Sequence, residues 1–307
     1  MAGRKGSKQS RIIPAIAAVI VLLVSAVLEM NGVWDNAEAS VAEKPYVSGV
    51  ADGIFADVHF VDVGQGDCAI IISGEQSMLI DSGEAEYAQT VTQTLSELGV
   101  ASLDYAVVTH AHSDHMGAMA EILDTVSTEN VIISIPSEDS AATKAYSDFL
   151  DSIENNNIKL ITAEPDYTFT LGNAVCRILS PFNVSSSEEN NNSVVMHVTA
   201  GDTSFLFTGD AEKSVESDIA ERYDDIGATV LKVGHHGSNT SSGKAFLDAV
   251  SPEVAVICVG ADNSYGHPTG KILERLSSYT DTVYRTDYNG TITFSCTQDS
   301  FTVKTEK

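Results

Sequence analysis

One short run constrains this chain more than any other. Leu103–Thr109 reads as a buried strand, and it leads straight into His110-Ala111-His112-Ser113-Asp114-His115. Imidazoles and a carboxylate packed this closely suit zinc, manganese or iron. On an extended backbone, alternate side chains share one side, so His110 and His112 can hold one ion. Asp114 and His115 then turn into the following helix and can face a second ion nearby.

The flanking pattern sets the fold class. Ala56–Val63, Cys68–Ser73 and Ser77–Asp81 read as strands, the last two joined by a Gly74-Glu75 hairpin. Glu86–Leu98 has helical spacing and stops at Gly99; His115–Leu123 and Ala141–Ile153 are expected helices around a strand at Val131–Ile135. Lys159–Thr162, Tyr167–Leu171, Ala174–Leu179, Ser193–Thr199 and Thr203–Thr208 follow as strands, with a tight turn at Ala200-Gly201-Asp202. The Ser/Asn/Glu stretch 185–192 reads as a surface loop. Helices at Glu212–Tyr223, Gly243–Val250 and Thr269–Ser278 alternate with strands at Ala228–Val233 and Val254–Val259, and three strands close the chain. Hairpins, then strand–helix alternation, then the same again: this order predicts two packed sheets with helices outside and disfavours a helical bundle. Asp81, His110, Asp210 and His235 all fall where strands end, the usual place for ligands in such folds.

Composition narrows the function. Across 307 residues, 17 Lys+Arg stand against 43 Asp+Glu, a formal charge of −26. This argues against a general polyanion-binding surface, though not against a site made locally positive by metal ions. Cys68, Cys176, Cys258 and Cys296 are too scattered for a disulfide scaffold or a Cys-rich zinc site, and read as small buried residues. At the N-terminus, Arg4, Lys5, Lys8 and Arg11 precede an apolar run from Ile12 to Leu28, with Ala37-Glu38-Ala39 as a cleavage-like site. Residues 1–39 therefore read as a signal peptide or a membrane anchor, and the remainder as exported under either reading. Residues 40–53 read as a linker and 54–307 as one domain.

Six stretches, taken in order, carry a family resemblance. They are Phe60-Val61-Asp62-Val63-Gly64-Gln65-Gly66-Asp67, Leu79-Ile80-Asp81-Ser82-Gly83, the His-rich run, Phe207-Thr208-Gly209-Asp210, Leu231-Lys232-Val233-Gly234-His235-His236-Gly237-Ser238 and Asn263-Ser264-Tyr265-Gly266-His267-Pro268. From about Val58 to Phe301 the chain resembles the metallo-β-lactamase superfamily. Within it, the likeness is to the hydrolase domain of ComEC-type competence proteins and its free-standing relatives. The resemblance implies a four-layer αββα sandwich with a one- or two-metal site. It implies that His110 and His112 bind a first divalent ion, zinc or manganese, and that Asp114 and His115 bind a second. Asp210 would bridge the two. One of His235 and His236, with His236 favoured, would complete the second site. Asp81 would orient a ligand imidazole or the bound water from behind, and Asp67 is also placed behind the ligands, on a Gly-flanked loop that with Gln65 is expected to line the mouth.

There is one departure from the superfamily pattern. Many members supply a further His between the His-rich run and Asp210. Here the His in that interval is His197, which falls within an expected strand, and Asn191, Asn192 and Ser193 stand at the family position. The first metal position is expected to be more open as a result. His59 reads as structural.

Such a site implies a metal-activated water, with Asp114 orienting it or accepting its proton, and His267 and the unused member of the His235/His236 pair serving the leaving group. Arg285 is either a contact for an anionic substrate or part of a surface ion pair. The leading expectation is an exported metal-dependent phosphodiesterase acting on DNA or a cell-wall phosphodiester. The alternatives are hydrolysis of a lactam, lactone or thioester, and a non-catalytic metal-binding surface protein.

Overall fold

The computed structural model describes residues 53–307. The N-terminal segment 1–39 and nearly all of the linker lie outside the described residues, so the expectations placed on them are not addressed by the coordinates. No helix among the described residues is long and apolar enough to cross a membrane.

The first half builds one sheet. β1 (Ala56–Phe60), β2 (Ala69–Ser73) and β3 (Gln76–Ile80) run antiparallel; β4 (Ser102–Val108), β5 (Ser127–Ile133) and β6 (Lys159–Thr162) then add in parallel. The second half repeats the scheme. β7 (Thr168–Leu171), β8 (Ala174–Ser180), β9 (Val195–Ala200) and β10 (Thr203–Phe207) are antiparallel, and β11 (Val230–Lys232), β12 (Val254–Ile257) and β13 (Val283–Arg285) extend the sheet in parallel. β14 (Ile292–Cys296) and β15 (Phe301–Thr305) cross back to pair beside β1. The sheets have the orders β15-β14-β1-β2-β3-β4-β5-β6 and β13-β12-β11-β10-β9-β8-β7.

Side-chain alternation explains the layers. On β2, Ala69 and Ile71 face the opposite sheet while Ile70 and Ile72 face helices. On β10, Phe205 and Phe207 point inward and Leu206 outward. Strands covered on both faces become apolar runs, as in β12 and in the Ala106–Val108 end of β4. The inner core is aromatic at its centre: Phe60 lies 5.6 Å from Phe207 and 5.9 Å from Phe294, which also meets Phe205 at 5.6 Å. α1 (Ala88–Glu97), α3 (Met119–Thr125) and α5 (Lys144–Asn155) cover the first sheet; α6 (Lys213–Arg222), α7 (Lys244–Val250) and α8 (Gly270–Leu276) cover the second. This is the expected αββα sandwich.

Two expected helices are each divided. His115–Leu123 becomes α2 (Ser113–Met116) and α3, and Ala141–Ile153 becomes α4 (Glu138–Ala141) and α5. Ser137 and Thr143 each accept a hydrogen bond from a backbone N–H inside the helix that follows, so each starts its own helix. At Gly117, between α2 and α3, a Cβ would meet the Ala85 nitrogen at 2.7 Å, so the preceding loop passes too close for any side chain.

Candidate metal centre

The candidate ligands stand just beyond the C-terminal ends of strands in both sheets. Asp81 follows β3, His110 follows β4, Asp210 follows β10, and His235 and His236 follow β11. His110, His115, Asp210 and His236 are almost wholly buried, while His112 and Asp114 are half-buried beside them. His110 Nε2 lies 3.0 Å from His112 Nδ1. His115 Nε2 lies 3.2 Å from Asp210 Oδ1, and His236 Nε2 lies 3.6 Å from the same oxygen and 3.2 Å from Asp114 Oδ2. Two overlapping groups, His110/His115/Asp210 and Asp114/His115/His236, bring ligand atoms within 4.8 Å of one another.

Hydrogen bonding from behind decides what these atoms can do. Asp81 sits in the left-handed region at φ 56°. It accepts from the Thr109 N–H at 2.8 Å, from the Thr109 hydroxyl at 2.7 Å and from His115 Nδ1 at 2.8 Å. With the His115 proton held on Nδ1, Nε2 presents a lone pair toward Asp210 Oδ1. Both atoms are buried, and neither has a hydrogen-bond partner among the described residues. Two buried acceptors turned on each other at 3.2 Å are unfavourable unless something positive lies between them. Ligands held about 2.0–2.2 Å from one zinc ion lie roughly 3–3.5 Å apart, so the separations and donor types fit a divalent cation.

Without a cation, the acids recruit protons instead. Burial works against charge on His115, yet Asp210, Asp81 and Asp114 outweigh it and hold its pKa well above the ordinary value. Against the same burial, Asp210, Asp114 and Asp67 lift His236 from 6.5 to about 10. Asp210 stays well below the usual carboxylate range despite its burial, because His236, His115 and His110 surround it. Burial pushes His110 the other way, well below 6.5, and the neighbouring His115 adds to that push.

Asp67 stands behind the ligands, as expected of it, and not at the mouth, which its loop was also expected to line. It is 6% exposed and packs beneath the ligands, with Oδ1 3.3 Å from His236 Nδ1 and Oδ2 paired with the ammonium of Lys232. The cause is a close approach: Gly66 has φ 149°, and a Cβ there would meet the Asp114 carbonyl oxygen at 2.4 Å, so the loop presses onto α2 and turns Asp67 inward. Together with a bond from His236 Nδ1 to the Cys258 carbonyl at 2.9 Å, Asp67 fixes the orientation of the His236 ring. Lys232 was missed in the sequence. Its signal was a charge inside an apolar strand, following Val230 on the inward-facing alternation.

Above the buried atoms a cleft of about 300 Å³ opens, lined among others by Gln65, Asp114, Asn190, Tyr265 and His267. Gln65 reaches it as expected. Asn190 and Tyr265 were not anticipated as lining residues. The 185–192 stretch is more than a surface loop: Glu189 is buried, and its carboxylate accepts from the backbone N–H groups of Ala111 and Ser137. Those bonds hold the turn carrying Asn190 against the His-rich run. Arg285 is taken up by Asp287 and lies over the Tyr288 ring, which is the ion-pair alternative. His197 bonds the Gly227 carbonyl from β9, and His59 bonds Thr293 from β1; both serve strands. The four cysteines are buried and free.

Comparison with known proteins agrees with this geometry. The model of the metallo-beta-lactamase superfamily matches residues 61–261, and the chain belongs to that superfamily. Within it the chain is ComEC-like. It is 30% identical over 261 residues to ComE operon protein 3 of Bacillus subtilis, covering 78% of this chain and 33% of that protein. It is 31% identical over 235 residues to competence protein ComA of Neisseria gonorrhoeae, covering 76% and 31%. The chain thus spans about a third of the length of these relatives. Among solved structures, CmlA, a diiron beta-hydroxylase from Streptomyces venezuelae, shares the fold with a TM-score of 0.54 at 16% identity, over 78% of this chain and 54% of that one.

Proposed function

We propose that residues 54–307 form an exported metal-dependent phosphodiesterase, carried outward by residues 1–39 acting as a signal or anchor. One observation supports this most: a buried carboxylate, Asp210, presents its two oxygens to different sets of imidazoles beneath an open cleft. Such a carboxylate suits two zinc or manganese ions held by His110, His112, Asp114, His115, Asp210 and His236. When bound, divalent ions there would supply an activated water near neutral pH and offset charge on a phosphoryl oxygen. The phosphodiester assignment draws on relatives whose names speak of competence, in Neisseria gonorrhoeae, and of recombination, in Haemophilus influenzae.

The chain's own residues divide the remaining work. Asp114, facing the cleft and anchored on His236, orients the attacking water and accepts its proton. Asp81, Asp67 and Lys232 keep His115 and His236 in their orientations. His267 stands on the rim; burial lowers its pKa, and its Nδ1 has no hydrogen-bond partner among the described residues. As a neutral imidazole it can steady the leaving oxygen with an N–H hydrogen bond. Water adds to phosphorus as Asp114 takes its proton, the ester P–O bond breaks, and that proton passes from Asp114 to the departing alcohol.

A substrate panel tests this reading. The full chain, loaded with manganese or zinc, is offered bis-p-nitrophenyl phosphate, a cephalosporin chromophore and single-stranded DNA. The expected result is phosphodiester turnover that falls about a hundredfold or more in Asp114→Asn. Turnover of the cephalosporin alone would move the reading to lactam hydrolysis. No turnover with either metal would leave a metal-binding surface protein.

A further inference from the structure

We infer that His235 is the third imidazole of the first metal position, taking the place of the ligand histidine that many family members supply between the His-rich run and Asp210. The inference rests on the reading that this centre holds divalent ions. It gives His235 a role other than serving the leaving group.

Asp210 carries the geometry. Its Oδ1 faces His115 at 3.2 Å and His236 at 3.6 Å. Its Oδ2 faces a different pair, His235 Nε2 at 3.7 Å and His110 Nε2 at 3.9 Å. His110 and His235 thus face Oδ2 directly, and His112 stands beside His110, its Nδ1 3.0 Å from His110 Nε2. The two adjacent histidines after β11 therefore address opposite oxygens of one carboxylate.

The backbone is bent to allow this. His235 has φ 50° and His236 has φ 51°, two consecutive non-glycine residues in the left-handed region. For a residue with a Cβ this conformation is strained. Strain of this kind persists where a site requires it. In an ordinary extended or helical backbone, neighbouring side chains diverge; here the rings lie 6.3 Å apart at 71° and both reach Asp210.

The residues at the vacant family position are engaged elsewhere. The Asn191 carboxamide oxygen accepts from the Glu212 N–H and the Ser214 hydroxyl. The Asn192 carboxamide bonds Ser185 through both its oxygen and its nitrogen. The Ser193 hydroxyl accepts from the Asp210 N–H at 3.1 Å and lies 3.5 Å from His110 Nδ1, behind the imidazole rather than in front of it. His235 is held the way metal-ligating histidines are held: Nδ1 lies 3.1 Å from the Thr240 hydroxyl, which leaves Nε2 for the Oδ2 side. Asn190 lies against the same ring, its Nδ2 3.4 Å from Nδ1 and 3.5 Å from Nε2.

The test counts ions rather than turnover. The full chain is stripped, dialysed against manganese and analysed for bound metal, with electron paramagnetic resonance reporting whether two ions are spin-coupled. The wild type is expected to hold a coupled pair. His235→Ala and the shape-conserving His235→Asn are expected to hold a single uncoupled ion, while His267→Ala and Asn190→Ala keep the pair. Melting of the metal-free variants shows that each is folded. A coupled pair persisting in both His235 variants overturns the assignment, as does loss of the pair in Asn190→Ala but not in His235→Ala. A wild type that binds no manganese or zinc sinks the metal reading as well, and is distinguished from the first failure by that count.

Discussion

At the scale of single residues, the charge on His236 links the centre to the protein's stability. In the metal-free protein its pKa stands at about 10, against 6.5 for the ordinary side chain. A histidine raised on folding lends stability that is complete below the unfolded value, here about 6.5, and is lost as pH climbs toward about 10. His115, raised by the same carboxylates, acts with the same sign. Chelated protein should therefore melt at lower temperature at about pH 9 than at about pH 6, with a loss on the order of a few kcal/mol. Saturating manganese should flatten that fall, because ligand histidines must be neutral and the cation takes over from the protons. Melting curves with and without chelator measure it; a metal-free protein equally stable at both pH values contradicts the account. The residues behind this behaviour were unevenly legible. His110, His112, Asp114 and His115 stand together in six positions and declare themselves. Asp67 and Lys232 are separated by most of the chain, and nothing in one sequence ties them; only the packing of the Gly66 loop onto α2 makes them a pair.

Among elements, the strand that closes the fold carries more than its place near the C-terminus suggests. β14 lies between β1 and β15, and Phe294 on it meets the rings of Phe60, Phe205, Tyr284 and Phe301. Those rings come from both sheets, so Phe294→Ala opens a void in the central layer and should cost about 3–5 kcal/mol. Urea unfolding monitored by far-ultraviolet circular dichroism measures the loss, and a cost below about 1 kcal/mol would show that the layer repacks freely. The strands themselves were readable because both-face burial makes them apolar runs. Their sheet membership was harder: three closing strands look alike in sequence, yet β13 stays with the second sheet while β14 and β15 return to the first. The 185–192 turn was misjudged for a related reason. A Ser/Asn/Glu stretch reads as solvent-facing, and only a contact 78 positions away, from Glu189 to the Ala111 N–H, shows that it is anchored inside.

For the whole molecule, the charge of −26 sets the terms on which a phosphodiester can approach. A long polyanion meets net repulsion from a chain so charged, offset locally by bound cations, and that repulsion is screened within about 10 Å at 0.1 M salt. The usual rule for nucleic-acid-binding proteins is that salt weakens binding. Here kcat/KM on long single-stranded DNA should instead rise between about 20 and about 200 mM sodium chloride, while turnover of a small zwitterionic phosphodiester stays level. Initial rates across that range decide it, and a steep fall for DNA would point to a basic track that binds it.

The placement of the candidate ligands has one last consequence. His110, His112, Asp114 and His115 hang from the first sheet, and Asp210, His235 and His236 hang from the second. A cation gripped by all of them is a rivet through two plates. The same ions proposed to drive the reaction would then also set how far the two halves can part at that end, so that losing metal slackens the seam and the catalyst together.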